Sequence, residues 1–562
     1  MRRMNMKNAT SKTQLLLPLV VALVLSLAPA AFAAVPGISG TTFNLTAQDA
    51  YLNQPDGEAV YSWGYGCNGA PSGFLPAAIS GASCTTMQVP GPTLIVTEGQ
   101  TVTVNLLNGL PTAAGNTSIL FPGLSVTATG GVAGLLTREA APGGTVSYSF
   151  TASTPGTHAY YSGTQGDLQI EMGLYGAVIV LPSTVPANCT SGYPAQNATA
   201  RAHWGEADFR LSQAAYDHPG SCYDREYLFQ WAEMDARIHR QAAAQVQAKA
   251  GCAAGTMGCS LDVQTEPYHP AYFLINGRSM PDLMDPNYAV EYPHQPYNGN
   301  PHMHPGELTL IRTIGQGRWQ HPFHEHANHV RILARDGNLI LSPTAAACSV
   351  TPAPAGCVMY SSPGGTAVMA TGLAGSLMFN TDTTPGEAFD GIFYFTGRGL
   401  NWDPYGHHPV SSTGDPLATL PCTPDANGYN SGAPTAVNFM EWCQDHNKPV
   451  QVAPFGDVAS GGPATLPDPN VLTNGAWYGG TPYLGPDASL RASMPACSTT
   501  TNASCTTLQP SNVQANPPNE RGWAFMWHSH NEREITTNNV FPGGMLMMML
   551  VDSREFAIDE SN

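Results

Sequence analysis

Residues 93–110 read TLIVTEGQTVTVNLLNGL, and this stretch decides the fold class. Apolar and polar residues alternate along it, which is typical of β-strands with one buried face. The same alternation occurs in GGTVSYSFTAS at 143–153, and LYGAVIVLP at 174–182 is apolar enough for a fully buried strand. Strands of this kind bury their apolar faces by pairing two sheets, so the pattern between residues 40 and 182 predicts a β-sandwich.

Strand patterns return in the C-terminal half, at 268–280, 306–337, 375–397 and 522–552. Between the two halves, 225–251 reads REYLFQWAEMDARIHRQAAAQVQAKAG, which has helical spacing and good helix formers. We expect this segment to be a helical bridge between two sandwiches. A Gly, Pro and Asn-rich tract at 401–518 contains four cysteines and little periodicity, which indicates a long disulfide-pinned insertion.

These patterns predict an all-β protein of two Greek-key β-sandwiches. The expected division is a signal peptide at 1–33, a first sandwich at 34–185, a partly helical bridge at 186–264, and a second sandwich at 265–562 that contains the insertion.

The N-terminus has the pattern of a secretory signal peptide. Basic residues precede the apolar run LLLPLVVALVLSLAPA, which closes at Ala31-Phe32-Ala33. Because this run is shorter than the roughly 20 residues of a membrane span, we expect an exported protein, periplasmic or extracellular, without a membrane span. The segment holds four of the 22 Lys and Arg residues and none of the 40 Asp and Glu residues. The exported part is therefore strongly acidic, which argues against nucleic acid and anionic membranes as partners.

The chain has 12 cysteines, all beyond the signal segment. An even number in an oxidising compartment predicts disulfides, and no Cys-x-x-Cys-His haem motif occurs. Pairing neighbours gives the bonds 67/84, 189/222, 252/259, 348/357, 422/443 and 497/505, although the sequence permits many other pairings.

The histidines form a pattern that chance does not explain. Among 17 histidines are three His-x-His pairs: 302/304, 324/326 and 528/530. In a strand, residues i and i+2 point to the same face about 7 Å apart, so two neighbouring strands can direct four imidazoles at one metal ion. We expect this arrangement for His324, His326, His528 and His530, with His321 as a further candidate ligand. Imidazole nitrogen suits copper, zinc, iron and nickel.

The sequence resembles the multicopper oxidases, which are built from cupredoxin β-sandwiches. The resemblance covers residues 40–552 without the bridge and the insertion, and its most specific motif is His-Pro-Phe-His-x-His at 321–326. VPGPTLIVTEGQTVTVNLLN at 89–108 is similar to the opening strands of the family, and WHSHNEREITTNNVFPGGM at 527–545 to its last ligand segment.

Departures from the family pattern concern half of the expected ligands. Four positions of the first sandwich that would hold histidines carry other residues: Leu120, Pro122, Tyr161 and Gly163. Ser529 stands in place of the cysteine of the blue copper site, and a hydroxyl cannot replace that thiolate. Glu534 stands where a further histidine would lie, whereas His321 and Met545 match the remaining ligands of the blue site.

The resemblance implies a copper protein, and an oxidoreductase if it is an enzyme. Without a blue centre, electrons would come directly from a bound small-molecule or metal-ion reductant. Related two-sandwich proteins form trimers, so the resemblance also implies a homo-oligomer. Two other hypotheses stay open. One is a non-catalytic copper-binding or structural extracellular protein, and the other is a zinc hydrolase in which Glu532 or Glu534 activates a metal-bound water.

The remaining candidates are less specific. Glu532 and Glu534 could equally orient an imidazole or lie in solvent. The methionines at 545–549 fit the alternation of a buried strand. The sequence assigns no role to five other histidines: His158, His302, His304, His407 and His408.

Overall fold

The computed structural model describes residues 35–395 except 78, 80, 344–346 and 361–366, then 421–443 except 437, then 481–484, and 520–558 except 553, 555 and 556. Most of the described elements are β-strands, and four larger sheets contain them. The expected all-β fold class is confirmed. Within these ranges, no helix has both the length and the apolar character that crossing a membrane requires.

The first twelve strands form two five-stranded sheets and a short hairpin. They are β1 (Gly37–Ser39), β2 (Thr42–Asn53), β3 (Ala59–Cys67), β4 (Phe74–Leu75), β5 (Leu94–Thr97), β6 (Thr101–Asn108), β7 (Val126–Gly130), β8 (Val132–Ala133), β9 (Arg138–Glu139), β10 (Thr145–Thr151), β11 (Gly156–Tyr161) and β12 (Tyr175–Leu181). One sheet has the order β11-β12-β5-β1-β4 and the other β3-β2-β6-β10-β7. Along β6, Val102, Val104 and Leu106 are buried in the core, as the alternation predicted.

The segment expected to be a helical bridge is half strand. Residues 225–234 form β13 (Arg225–Met234), so the helical prediction is wrong there. All ten residues of β13 are buried, and a strand buried on both faces loses the alternation that distinguishes it from a helix. The second half is helical as expected, and the Asp235 side chain caps this helix by accepting a hydrogen bond from the Arg237 backbone N–H. The α-helices are α1 (Gly166–Gln169), α2 (Ala187–Ser191), α3 (Tyr193–His203) and α4 (Ala236–Ala248).

The C-terminal strands complete two further sheets and form a separate two-stranded sheet. They are β14 (Tyr272–Ile275), β15 (His302–Met303), β16 (Leu308–Gly315), β17 (His321–Glu325), β18 (Val330–Arg335), β19 (Asn338–Leu339), β20 (Cys357–Tyr360), β21 (Val368–Thr371), β22 (Leu377–Met378), β23 (Asn380–Thr383), β24 (Ala388–Tyr394), β25 (Thr481–Leu484), β26 (Glu520–Ser529) and β27 (Leu546–Asp552). β20 and β21 form the two-stranded sheet. One larger sheet has the order β14-β13-β16-β24-β18-β19, and the other β15-β27-β26-β17-β23. Their shared core contains aromatic residues and the buried side chains of Met545, Met547 and Met549.

Five disulfides join the cysteine neighbours that the sequence paired: Cys67–Cys84, Cys189–Cys222, Cys252–Cys259, Cys348–Cys357 and Cys422–Cys443. The expected 497/505 bond and most of the insertion at 401–518 lie outside the described residues.

A buried arginine ties the N-terminal and C-terminal sheets together. Arg312 on β16 is 0% exposed and lies 3.1 Å from a carboxylate oxygen of Glu226 and 3.5 Å from one of Asp390. Its guanidinium also donates to the hydroxyl of Thr157 on β11, which donates in turn to Asp390. The charge of Arg312 therefore compensates two carboxylates that are fully removed from water.

Replacing this arginine should destabilise the protein strongly. Arg312→Met leaves Glu226 and Asp390 buried without their counter-ion, so we expect the free energy of unfolding to fall by about 3–5 kcal/mol. The matched control is Arg240→Met, because Arg240 is 66% exposed in its ion pair with Glu58 and should change stability by less than about 0.5 kcal/mol. Urea unfolding followed by tryptophan fluorescence measures both values, and equal losses would contradict the assigned role of Arg312.

Candidate metal centre

Strand pairing brings two distant His-x-His motifs onto one face of a sheet. β17 runs antiparallel to β26, and His324 lies directly opposite His528 in the register. The pairing continues beyond both strand ends, because the backbone N–H of His326 donates to Met526 O and that of His530 to Pro322 O. Since residues two apart share a face of a strand, all four histidines point to the same side.

The four imidazoles lie close enough together to share an ion. The Nε2 atoms of His326 and His528 are 3.3 Å apart, and one nitrogen each from His324, His326 and His528 lie within 4.8 Å of one another. Two nitrogens that bind one ion tetrahedrally at about 2.0–2.1 Å are separated by roughly 3.3–3.4 Å. The ring of His530 is centred 4.8 Å from that of His324 and 5.7 Å from that of His528. The positions of these side chains therefore allow His324, His326 and His528 to bind one ion, and His530 lies beside them.

The environment favours the neutral form of His324 and His528. His324, His326 and His528 are only 6–8% exposed. Burial, together with the nearby His528 and His530, lowers the pKa of His324 to about 4, and burial also lowers the pKa of His528. Neutral imidazoles offer a lone pair to a metal near pH 7 without first losing a proton.

A backbone hydrogen bond orients one of the rings. The Nδ1 atom of His528 lies 2.7 Å from the carbonyl oxygen of Ser529, and since a carbonyl only accepts, Nδ1 carries the proton. The Nε2 atom of His528 is then the free acceptor and faces His326. This is the way in which metal-binding histidines are commonly held.

The fifth candidate ligand lies elsewhere. His321 is three residues before His324 on β17 and therefore occupies the opposite face, in the core. Its Nδ1 is 2.9 Å from Glu534 and its Nε2 is 2.9 Å from Glu233, and all three side chains are fully buried. Although burial alone would lower it, the two carboxylates raise the pKa of His321 to about 9.

The two glutamates proposed as bases are therefore in different surroundings. Glu534 is engaged with His321 and also accepts a hydrogen bond from the Ser529 hydroxyl at 2.5 Å. Glu532 is 80% exposed, with a carboxylate oxygen 4.0 Å from Nδ1 of His530, whose side chain is 54% exposed. Only Glu532 lies near the histidine cluster.

The other histidines have separate partners. His304 and the buried carboxylates Glu206 and Glu307 come close enough to resemble a metal site. Arg225 forms ion pairs with both glutamates, however, and His304 lies 2.8 Å from Glu206, so the negative charge is already compensated. His302 lies in the same region, 3.8 Å from Asp552. His158 donates to the carbonyl of Thr154, whereas His407 and His408 lie outside the described residues.

Three of the four altered positions in the N-terminal half lie close together, and none of them is a histidine. Leu120 and Tyr161 pair through their backbones, with N···O distances of 2.7 and 3.3 Å. A Cβ atom at Gly163 would lie 2.8 Å from Leu120, so a larger residue there has no room beside the leucine. Leu120, Tyr161 and Gly163 therefore lie next to one another.

Glu233 was missed by the sequence-based reasoning. It lies on β13, in the stretch that its spacing assigned to a helix, so nothing indicated that it would face His321. Recognising the apolar run around it as a buried strand would have placed it in the core.

Comparisons with known proteins agree with the fold. Residues 81–184 match the family model described as multicopper oxidase. The chain is 38% identical over 98 residues to "Multicopper oxidase MCE" of Talaromyces pinophilus, covering 17% of this chain and 15% of that protein. It is also 38% identical over 96 residues to an L-ascorbate oxidase of Brassica rapa subsp. pekinensis, covering 16% of each. The matches thus span about one sixth of these relatives.

Two solved structures align with most of the chain at low TM-scores. Multicopper oxidase mgLAC has a TM-score of 0.42 at 14% identity, over 92% of this chain and 88% of that one. The Blue Copper Oxidase from Nitrosomonas europaea has a TM-score of 0.41 at 14% identity, over 90% of this chain and 85% of that one. In sequence, the family-model match covers residues 81–184, and over this part the chain is similar to multicopper oxidases.

Proposed function

We propose that this protein is an exported copper-binding oxidoreductase whose metal is held by His324, His326, His528 and His530, without a blue copper centre. The observation that carries the proposal is the convergence of three buried imidazoles within 4.8 Å, with a fourth beside them. The division into two sandwiches with a bridge, and assembly as a homo-oligomer, are further parts of the proposal.

The donor set fits copper. Imidazole nitrogen suits this metal, and the 3.3 Å separation of the His326 and His528 nitrogens matches two ligands on one ion. The similarity to multicopper oxidases favours copper over zinc. For a hydrolase, a base would be needed next to the metal, but Glu534 is committed to His321 and Glu532 is largely in solvent.

When bound, copper would supply one-electron redox chemistry. The protein's own residues determine which reductants can reach the metal. His324, His326 and His528 form the buried side of the site, and His530 is the exposed side. Phe379 contacts His324 at 5.7 Å between ring centres and is 39% exposed, so it gives the entrance an apolar edge. With serine at position 529, no thiolate relays electrons, and a small-molecule or metal-ion reductant must bind at this entrance.

Removal of one imidazole should abolish stoichiometric copper binding. We expect His528→Ala to weaken copper binding by more than the roughly 10–100-fold that loss of a supporting partner costs, because His528 supplies a ligand atom itself. Elemental analysis after copper loading and desalting measures the copper per chain, and paramagnetic resonance should show imidazole nitrogen coupling in the wild type.

The matched control is His269→Ala, since His269 is an exposed histidine away from the cluster. This variant should retain wild-type copper. Because folding could fail in one variant, His326→Ala provides an independent test of the same site. Copper retained in both folded cluster variants would contradict the assignment of the site.

Copper-loaded protein should consume oxygen when a small-molecule or metal-ion reductant is added. The rate, measured with an oxygen electrode, should disappear in His528→Ala and persist in His269→Ala. Copper that binds at the four histidines but never turns over with any reductant tested would support the non-catalytic copper-binding hypothesis instead.

A further inference from the structure

The face of β17 and β26 opposite the four histidines carries the positions that resemble a blue copper site. Phe323 pairs with Ser529 across the two strands, which places Ser529 on the same face as His321. The backbone of Met545 is hydrogen-bonded to the segments that carry Ser529 and Glu534. Its carbonyl accepts from the Ser529 N–H at 2.9 Å, and its N–H donates to the Glu534 carbonyl at 2.8 Å. The four positions His321, Ser529, Glu534 and Met545 therefore converge.

One carboxylate oxygen occupies the point of convergence. Oε2 of Glu534 lies 2.9 Å from Nδ1 of His321 and 2.5 Å from Oγ of Ser529. The other oxygen, Oε1, accepts a hydrogen bond from the Asn531 side chain at 2.9 Å. The imidazole nitrogen and the side chain of residue 529, which would both face a metal in a blue site, face this oxygen instead.

The opposite edge of the His321 ring faces a second carboxylate. Oε2 of Glu233 lies 2.9 Å from Nε2, while its Oε1 accepts from the backbone N–H groups of Arg318 and Trp319. A neutral imidazole has one N–H, so contact with two carboxylates requires one additional proton in the group. The raised pKa of His321 is consistent with a proton held on the ring. Because the carboxylates lie on opposite edges of the ring, they cannot join His321 around a single ion.

We infer that the position of the blue copper is taken by the Glu534 carboxylate, and that Glu233, His321 and Glu534 form a buried, proton-bearing triad that binds no metal. The inference concerns the face opposite the four histidines and does not depend on copper at that cluster. A blue site needs two imidazoles, a thiolate and a weak methionine ligand, and here the chain supplies only one imidazole and the methionine.

Restoring the missing donors tests whether the triad fills a vacated metal position. The double variant Ser529→Cys with Glu534→His would complete the donor set with His321 and Met545. We expect it to bind one more copper per chain than the wild type and to gain the strong visible absorption of a thiolate–copper centre. The control is Ser529→Ala with Glu534→Gln, which removes the triad without adding donors and should gain neither.

Both double variants are also made together with His528→Ala, so that copper at the vacated position is counted apart from copper at the histidine cluster. The inference is overturned if the folded Cys and His variant gains no copper, or if wild-type protein holds a metal that His321→Ala removes and His528→Ala leaves in place. Failure of the proposed function would appear separately, as wild-type protein without copper.

The pH dependence of stability tests the proton in the triad. The groups that face or adjoin His321 are Glu233 on β13, Glu534 after β26, and the hydroxyls of Ser529 and of Tyr268. The Tyr268 hydroxyl donates to Glu171 at 2.6 Å and lies 3.1 Å from Glu233. A histidine whose folded pKa is raised from about 6.5 to about 9 adds stability that is complete below about pH 6.5 and lost as pH rises through 9.

We therefore expect the urea midpoint of the wild type to fall between about pH 6.5 and 9, and the midpoint of His321→Gln to lack this component. This measurement requires only that the single variant folds. Identical pH profiles for the two proteins would contradict a protonated His321 and, with it, the triad.

Discussion

The antiparallel register between β17 and β26 is the constraint on which the site depends. It places His324 opposite His528, and the two-residue spacing of each motif then brings His326 and His530 to the same face. Since successive side chains of a strand point to opposite faces, a slip by one residue would turn these imidazoles into the core and bring Phe323 and Ser529 outward. Burial of Phe323 and Trp527 in the aromatic core opposes such a slip.

Because side chains alternate along a strand, the histidine cluster and the group around His321 lie on opposite faces of one sheet. On one face, the strand register brings imidazoles close together and burial lowers the pKa of His324, which favours the neutral form that a metal requires. On the other, two carboxylates hold His321 with a proton. A charge buried without partners would be costly, and the triad supplies those partners where the thiolate of a blue site is absent. The serine at 529 thus fits a hydrogen-bonded site, since its hydroxyl donates to Glu534.

Much of the fold and of the candidate site could be predicted from local sequence patterns. The alternation along β6, the short disulfide loops and the two His-x-His pairs depend on spacing that strand geometry fixes. Two features were missed, for different reasons. The β13 segment has no alternation because it is buried on both faces, so its strand and Glu233 were missed. His321 was grouped with the ligands, although its three-residue spacing from His324 places it on the other face.

Anomalous diffraction at the copper absorption edge, from crystals of the copper-loaded protein, tests the central claim most directly. The structure predicts a peak about 2 Å from the ring nitrogens of His324, His326 and His528, with none beside Glu534. A peak between His321 and Ser529, or copper bound away from the four histidines, would contradict it.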